Sequence, residues 1–437
     1  MHPRRLTRGY LILMAESFDK ARRFLSEIIS SKSKNWKDAL TAEQASEYCP
    51  LPTLLVQNTA SVARLNQHLT EQGMDLSELL DKYTEAQLNA YLANIENMVG
   101  TVKIPLGLAG PIRINGIHAK GDYILPLATH EAALVASHHR GAIAVSESGG
   151  CKAAVINEGV SRVPALTFPS MVEVSEFLVW LLPREDKLIE VAEQTTRHGK
   201  VSDLKFTIEG NTVYLHFEYK TGDAAGQNMV TVATEEACRY IRENSPVQPI
   251  NLYVESNLSG DKKASMTSFH GVRGKKVTCE VLLPKTVLDK RLGVTARQME
   301  DYWRISSVGG VLSGSIGIQG HYANGLAALF IACGQDAACV AEAAVGVTRF
   351  EMREKESLYV SVTMPNLIVG TVGGGTDLPS QSTCLDILGL RGEGKAKAFA
   401  EVCAGMALAG ELSIIAALAS GNFARSHAVL ARRRKKT

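Results

Sequence analysis

Apolar residues recur at three- and four-residue spacing through the first hundred positions, which predicts helices that each bury one face. Ser61 to Leu69 carries this spacing. Asp75 to Asn97 extends it, with Leu76, Leu79, Leu80, Tyr83, Leu88, Tyr91 and Ile95 on one side. Asp75 is placed to cap that second helix, with Glu78 as its capping-box partner. From Gly100 onward the pattern changes. Thr101 to Pro111 reads as a strand and turn, and Asn115-Gly116 is a hairpin signal before a strand near Tyr123 to Leu127. Thr129 to Val145 reads as a helix whose small residues (Ala132, Ala133, Ala136, Ser137, Gly141, Ala142 and Ala144) admit close approach by another backbone or a ligand.

Residues 164–254 read as a separate block. Strands are predicted at Ala165–Phe168, Leu204–Ile208, Thr212–Tyr219 and Ile250–Val254, and helices at Val172–Leu182 and Asn228–Glu243. The order β-α-β-β-α-β predicts a ferredoxin-like unit. The last third is rich in Gly and Ala. Ala323–Ala344 and Ala396–Ser420 read as buried helices, with Gly370-Thr-Val-Gly-Gly-Gly-Thr376 between them.

Composition adds exclusions. The chain has 437 residues, of which 45% are hydrophobic and 21% charged, as in ordinary globular proteins. Lys plus Arg number 47 against 45 Asp plus Glu, so the net charge of +2 gives no electrostatic reason to expect nucleic acid. The eight cysteines are dispersed without a CxxC, which argues against disulfides or structural zinc and for a reducing cytoplasm. No uninterrupted apolar run of about 18 residues predicts a membrane span. The tail Arg432 to Lys436 reads as a solvated basic terminus.

Familiar nucleotide motifs are missing. No GxGxxG follows a predicted strand, and Gly389 to Ala396 departs from a phosphate-binding loop because Ala396 stands where a hydroxyl would hold Mg²⁺. His138 and His139 fall on different helix faces and make a poor metal chelate. What remains is a set of polar residues in apolar or Gly-rich settings: Glu131, Asp261-Lys262-Lys263, Asp336, the Gly370–Thr376 stretch, Gly222-Asp223 to Asn228, and His427. A carboxylate among Ala and Leu is costly unless paired, and a lysine could pair with both acids. Each also has a plainer reading. Lys262 could be a solvated loop cation, Asp336 a structural ion-pair partner, Glu131 a helix-start carboxylate and His427 a surface histidine. Spacing alone does not bring them together.

These segments resemble one family. Glu96–Gly100, Pro105–Pro111, Ala128–Ser137, Thr221–Met229, Asp261–Lys263, Gly334–Ala338, Gly370–Thr376 and Gly410–Ser413 follow the order seen in class I 3-hydroxy-3-methylglutaryl-coenzyme A (HMG-CoA) reductases. The resemblance implies an α+β fold. A helical N-terminal region would cover residues 1–100. A large α/β substrate domain built around a central helix would comprise residues 101–163 and 255–427, with the catalytic loop at 255–266. A small ferredoxin-like NADPH-binding domain, 164–254, would be inserted in it, and a basic tail would occupy 428–437.

The implied reaction is the four-electron reduction of (S)-HMG-CoA to (R)-mevalonate and CoA with two NADPH and no metal, a step toward isoprenoids. The implied setting is a cytoplasmic homodimer or homotetramer with active sites at the subunit interface, no nucleic acid and no membrane anchor. The implied catalytic residues are Glu131, Lys262, Asp336 and His427. Ser137, His139, Arg140, Arg162, Asn257, Lys263 and Asn324 would bind substrate. Thr196, Arg197, Asp223, Gln227, Asn228, Gly373, Gly374 and Gly375 would bind NADPH. By this resemblance Lys262 would stabilise the developing oxyanion, His427 would protonate the departing thiolate, Glu131 would donate a proton in the second reduction, and Asp336 would bridge Lys262 and Glu131.

The chain departs from the family in places. Ile305, with Arg304 beside it, replaces a substrate-carboxylate lysine, and Glu255-Ser256 replaces a Ser-Gly pair. His139 replaces the usual Asn, and the regulatory serine expected beyond His427 is missing. Two rival readings are an NADH-linked, mevalonate-oxidising enzyme of the same fold and a non-catalytic acyl-CoA-binding regulator.

Overall fold

The computed structural model describes residues 58–421 together with residues 18–23, 26 and 51. Expectations for His427 and the basic tail lie outside the described residues. Helix α1 (Thr59–Glu71) is capped by Asn58, whose side chain accepts from the Ser61 N–H while Ser61 returns the bond. The long helix expected over 75–97 is replaced by two short ones, Lys82–Ala86 and Leu88–Leu92. Asp81, not Asp75, caps the first of them. The reason is a tertiary contact. The Leu79 carbonyl accepts the Thr101 N–H at 2.8 Å, and Gly100 packs so close that a Cβ there would lie 2.4 Å from that oxygen.

The sheet strands are β1 (Leu106–Gly116), β2 (Lys120–Ala128), β3 (Cys151–Arg162), β4 (Ala165–Thr167), β5 (Lys200–Glu209), β6 (Thr212–Lys220), β7 (Asn251–Tyr253), β8 (Gly274–Leu283), β9 (Val347–Met352) and β10 (Leu358–Leu367). They run in the order β7-β4-β6-β3-β8-β10-β9, with β1 joining β2 to β3 and β5 on the edge of β6. All pairings are antiparallel except β1 with β3. The β1–β2 turn falls at 117–119, just past Asn115-Gly116, and Asn115 still pairs with Lys120.

The remaining helices used below are α2 (Leu134–Glu147), α3 (Met171–Leu181), α4 (Glu185–Glu193), α5 (Gln227–Asn244), α6 (Ala296–Ser313), α7 (Tyr322–Ala332), α8 (Pro379–Leu388) and α9 (Ala396–Ala419). Among the described residues two large hydrophobic cores result, besides a small cluster of Val62, Leu88 and Met98. One lies among α3, α4, α5 and strands β4 to β7, where Phe168, Phe177, Phe217, Val230 and Ile241 meet. Its strand order, β7-β4-β6-β5, is antiparallel with helices between β4 and β5 and between β6 and β7. The larger core surrounds α9 and is lined by β1, β2, β8, β10, α2 and α7.

Helix α9 is long and apolar enough to cross a membrane by length and composition, but 83% of its apolar window is buried within the protein. Its small residues allow tight crossings. A Cβ on Gly141 of α2 would sit 1.9 Å from the Ala409 carbonyl oxygen, so the two backbones touch there. Glu401 is fully buried on α9 and is satisfied by three backbone N–H groups, from His118 at 2.9 Å, Ala119 at 2.7 Å and Val155 at 3.3 Å. The single helix expected over 323–344 breaks at Gly334, whose φ is 67°. Asp336 therefore does not lie inside an apolar helix. It caps a short turn, its carboxylate accepting the Ala338 N–H at 3.0 Å.

Candidate active site

The break after α7 is what makes a site possible, because it turns Asp336 outward at the end of the helix. Across from it, the chain between β7 and β8 forms a loop containing two non-glycine residues in left-handed backbone, Asn257 (φ 65°) and Lys262 (φ 55°). Such conformations persist only where surrounding contacts enforce them. Each of these two residues donates its backbone N–H to a carboxylate: Asn257 to Glu255 at 2.7 Å, Lys262 to Glu342 at 3.2 Å. The Lys262 ammonium then reaches Asp336, Nζ to Oδ2, at 2.9 Å. The hydrogen bond from Asp336 raises the Lys262 ammonium above its ordinary range. Burial works to raise the Asp336 carboxyl, but the hydrogen bonds from Lys262 and the Ala338 N–H outweigh it and hold the group below its ordinary range.

The Gly-rich stretch packs against the same turn. A Cβ on Gly334 would lie 2.2 Å from the Gly375 oxygen, so the two segments are in backbone contact. Gly373 and Gly374, both at positive φ, face open space beyond that contact. The Gly222–Asn228 segment also converges here. The Asp223 carbonyl accepts the Thr371 N–H at 2.9 Å, and its carboxylate accepts from Gly394 at 2.7 Å and Ala396 at 3.1 Å, capping α9. Gln227 donates to the Cys339 sulfur at 2.8 Å. Asn228 is exposed at the start of α5. Thr196 donates to the Met229 sulfur and accepts from the His198 and Gly199 N–H groups, which fixes a turn from which Arg197 projects. Arg197 is exposed and makes no hydrogen bond or ion pair among the described residues.

The remaining candidates gather at the other end of α7. Asn324 donates to Glu131 Oε2 at 2.8 Å. Ser137 donates to the Ser413 hydroxyl at 2.9 Å, and Arg140 meets Ser413 through its hydroxyl at 2.9 Å and its carbonyl at 2.6 Å. Burial lowers the Arg140 guanidinium from its ordinary range. His139 is exposed and its Nδ1 accepts the Gly110 N–H at 3.3 Å. Its neighbour His138 is fully buried against His321, and burial drives it down to about 3.

Within one chain Glu131 contacts Asn324 and not Lys262. Asn324 sits in the first turn of α7 and Asp336 beyond its last, about 12 Å of helix apart at 1.5 Å per residue.

Arg162, 5% exposed, is engaged by Glu255 at 2.9 Å and Asp261 at 3.1 Å. Its Nε is buried without a partner among the described residues. Glu255 thus uses the position where a Ser-Gly pair was the family pattern to hold an arginine. Lys263 donates to its own loop, to the Asp261 carbonyl at 2.9 Å. Arg304 pairs along α6 with Glu300 at 3.5 Å and Asp301 at 3.4 Å, while Ile305 is exposed.

A family model described as hydroxymethylglutaryl-coenzyme A reductase matches residues 60–432. The chain belongs to the hydroxymethylglutaryl-coenzyme A reductase family. It is 44% identical over 347 residues to the 3-hydroxy-3-methylglutaryl-coenzyme A reductase of Pyrococcus horikoshii, spanning 78% of this chain and 84% of that one. It is 42% identical over 344 residues to the reductase of Methanocaldococcus jannaschii, spanning 78% and 85% respectively. The class II reductase of Streptococcus pneumoniae, solved bound to NADPH in open conformations, shares the fold with a TM-score of 0.62 at 22% identity over 81% of this chain and 96% of that one.

Sequence reading passed over Arg273 and Glu342, which form the buried pair behind Lys262. Glu342 sits among alanines in Val340-Ala-Glu-Ala-Ala, the same kind of setting that singled out Asp336.

Proposed function

We propose that this chain is a class I HMG-CoA reductase working as a homodimer or a dimer of dimers, in which Lys262, Asp336, Glu131 and His427 carry the chemistry. The activity is that of the family: HMG-CoA and two NADPH give mevalonate, free CoA and two NADP⁺, with two protons consumed. The Asp261-Lys262-Lys263 loop after the β4–β7 unit supports class I. The separate core of residues 164–254 supports its assignment as the NADPH-binding domain, inserted between the two parts of the substrate domain, 101–163 and 255–427. The free thiols at all seven described cysteines support a cytoplasmic setting.

The residues present suit NADPH. Arg197 is an exposed guanidinium without a partner among the described residues, fit for a 2′-phosphate. Gly373 and Gly374 leave open space beside Asp336 where a Cβ would otherwise stand. Asp223 serves by fixing the loop rather than as a free ligand, because the N–H groups of Gly394, just before α9, and of Ala396, its first residue, occupy both its oxygens. NADPH, when bound, supplies hydride.

The protein's own part is electrostatic. As the thioester carbonyl is reduced, Lys262 stabilises the oxygen that becomes negative. Asp336 keeps that amine charged and aimed. His427 protonates the departing CoA thiolate. Reduction of the resulting aldehyde needs a proton, which Glu131 delivers. Arg162, Ser137, Asn257, Lys263 and Asn324 hold the acyl end, and His139 with Arg140 the CoA end.

The gap between Glu131 and Lys262 within one chain supports a site completed by a second copy. An apolar stripe on α6 supports the same reading, since Ile305, Val308, Val311 and Leu312 are 58–84% exposed.

One observation carries the mechanism: an ammonium in left-handed backbone, held 2.9 Å from Asp336 beside an open Gly-rich loop. Loss of NADPH absorbance on adding HMG-CoA tests it. Two NADPH consumed per HMG-CoA is the expected result. No consumption, or faster consumption of NADH, overturns the assignment.

A further inference from the structure

Behind the Lys262 loop lies a buried ionic network that includes Arg162. Arg273 is 3% exposed and uses all three edges of its guanidinium. Nε donates to Glu342 Oε2 at 2.7 Å, Nη1 to the Ser161 carbonyl at 2.8 Å, and Nη2 to Asp261. Asp261 also accepts from Arg162 at 3.1 Å, and Arg162 from there reaches Glu255. Glu342 is fully buried. Its second oxygen accepts the Lys262 backbone N–H. Two guanidiniums therefore face three carboxylates, and one carboxylate grips the strained residue whose side chain does the chemistry.

We propose that Glu342, backed by Arg273, is a positioning residue that holds Lys262 in left-handed backbone so that its ammonium stays aimed at the reacting oxygen. The inference rests on the role assigned to Lys262. Both sides of the loop residue are then fixed, its main chain by Glu342 and its side chain by Asp336. Without Glu342 the backbone relaxes toward an ordinary conformation, and Nζ swings away from the site. The anchor needs the ionised carboxylate, because both of its oxygens accept. Burial pushes Glu342 up to about 7, against the pull of Arg273 and with Asp261 reinforcing the rise. The Cys339 thiol also faces it and is itself pushed up to about 12 by burial, so it stays neutral throughout. Protonating Glu342 turns one acceptor into a donor and releases either Arg273 or Lys262.

The test is steady-state kinetics of the full-length enzyme with HMG-CoA and NADPH across the neutral pH range. Wild-type kcat is expected to fall as the pH drops through about 7. In Glu342→Gln, kcat is expected to drop about 10- to 100-fold, with the KM for NADPH within about twofold and the acid limb gone. A purely structural role would lower the folded fraction without removing the limb. A folded Glu342→Gln enzyme with wild-type kcat overturns the proposal, as does an unchanged acid limb in that variant or a flat wild-type profile. Should Glu342→Gln not fold, Arg273→Lys keeps the charge and loses the fork, and its kcat is expected to fall about 10-fold or more at unchanged NADPH KM. Wild-type kcat there refutes the idea. Lys262→Ala separates the two levels. If that variant is fully active, the role of Lys262 fails; if it is inactive while Glu342→Gln is normal, only the anchor fails.

Discussion

Replacing Asp336 by Asn removes a charge and almost no volume, which makes it the cleanest probe of the Lys262 pair. Two unit charges about 3 to 4 Å apart attract by roughly 4 to 6 kcal/mol at an effective dielectric of about 20. Both side chains, however, are about two-fifths exposed, 43% and 41%, so solvent screens most of that attraction. The pair's share of stability is then about 1 kcal/mol or less. In a chain of this size that is a Tm shift of about 1 °C or less. The rate should respond very differently. A lysine freed of its partner explores several rotamers, and a displacement of about 1 Å from a developing oxyanion costs on the order of 10²-fold. Asp336→Asn is therefore expected to lose about 10²-fold in kcat with near-normal Tm.

The pH dependence sharpens this. The folded Asp336 carboxyl titrates below its ordinary 3.8, so its stabilisation is present above that value and is lost as the pH falls through the lower folded one. The folded Lys262 ammonium titrates above its ordinary 10.5, so its share is present below that value and is lost as the pH rises through the higher folded one. The stability difference between variant and wild type should accordingly be flat from about pH 5 to 9. NADPH-oxidation kinetics and thermal melts measure both quantities. A kcat within about twofold of wild type, or a loss that merely tracks unfolding, would refute the reasoning.

Arg197→Ala should raise the KM for NADPH about 10-fold and leave NADH use little changed, and equal shifts for both cofactors would remove Arg197 from the 2′-phosphate. Gly141→Ala should destabilise by about 1 to 3 kcal/mol or more in chemical denaturation, because its Cβ would meet the Ala409 carbonyl; an unchanged midpoint would contradict the α2–α9 crossing. His427→Gln should slow thioester reduction about 10²-fold and spare reduction of added mevaldehyde, and equal loss of both activities would contradict its role as thiolate acid.

Where elements are governed by neighbours in sequence, the residues alone were enough. Alternation along 212–219 marks β6, and the apolar spacing of 228–243 marks α5, each within a residue or two of its observed ends. Such segments declare themselves because one face is apolar at a period of two or of 3.6. The Ala-rich run at 396–420 likewise announces a buried helix. The family, the reaction and the small set of polar residues worth testing were also legible, because charged side chains stranded among alanines and glycines carry a cost that demands a partner.

What the sequence could not decide is which partner each of them finds. Asp336 reads as a residue inside a helix until Gly334 packs on Gly375 and breaks it. The helix expected from Asp75 onward yields to the contact of Leu79 with Thr101. Glu342 and Arg273 lie 69 positions apart and form a pair only once β8 and the turn after α7 are folded together. The physical reason is the same in each case. Local propensity is worth tenths of a kcal/mol per residue, whereas a buried charge or an unpaired backbone group is worth several, so long-range satisfaction overrides the local pattern. Periodicity determined most elements of this protein, and long-range pairing of charged and backbone groups determined its site.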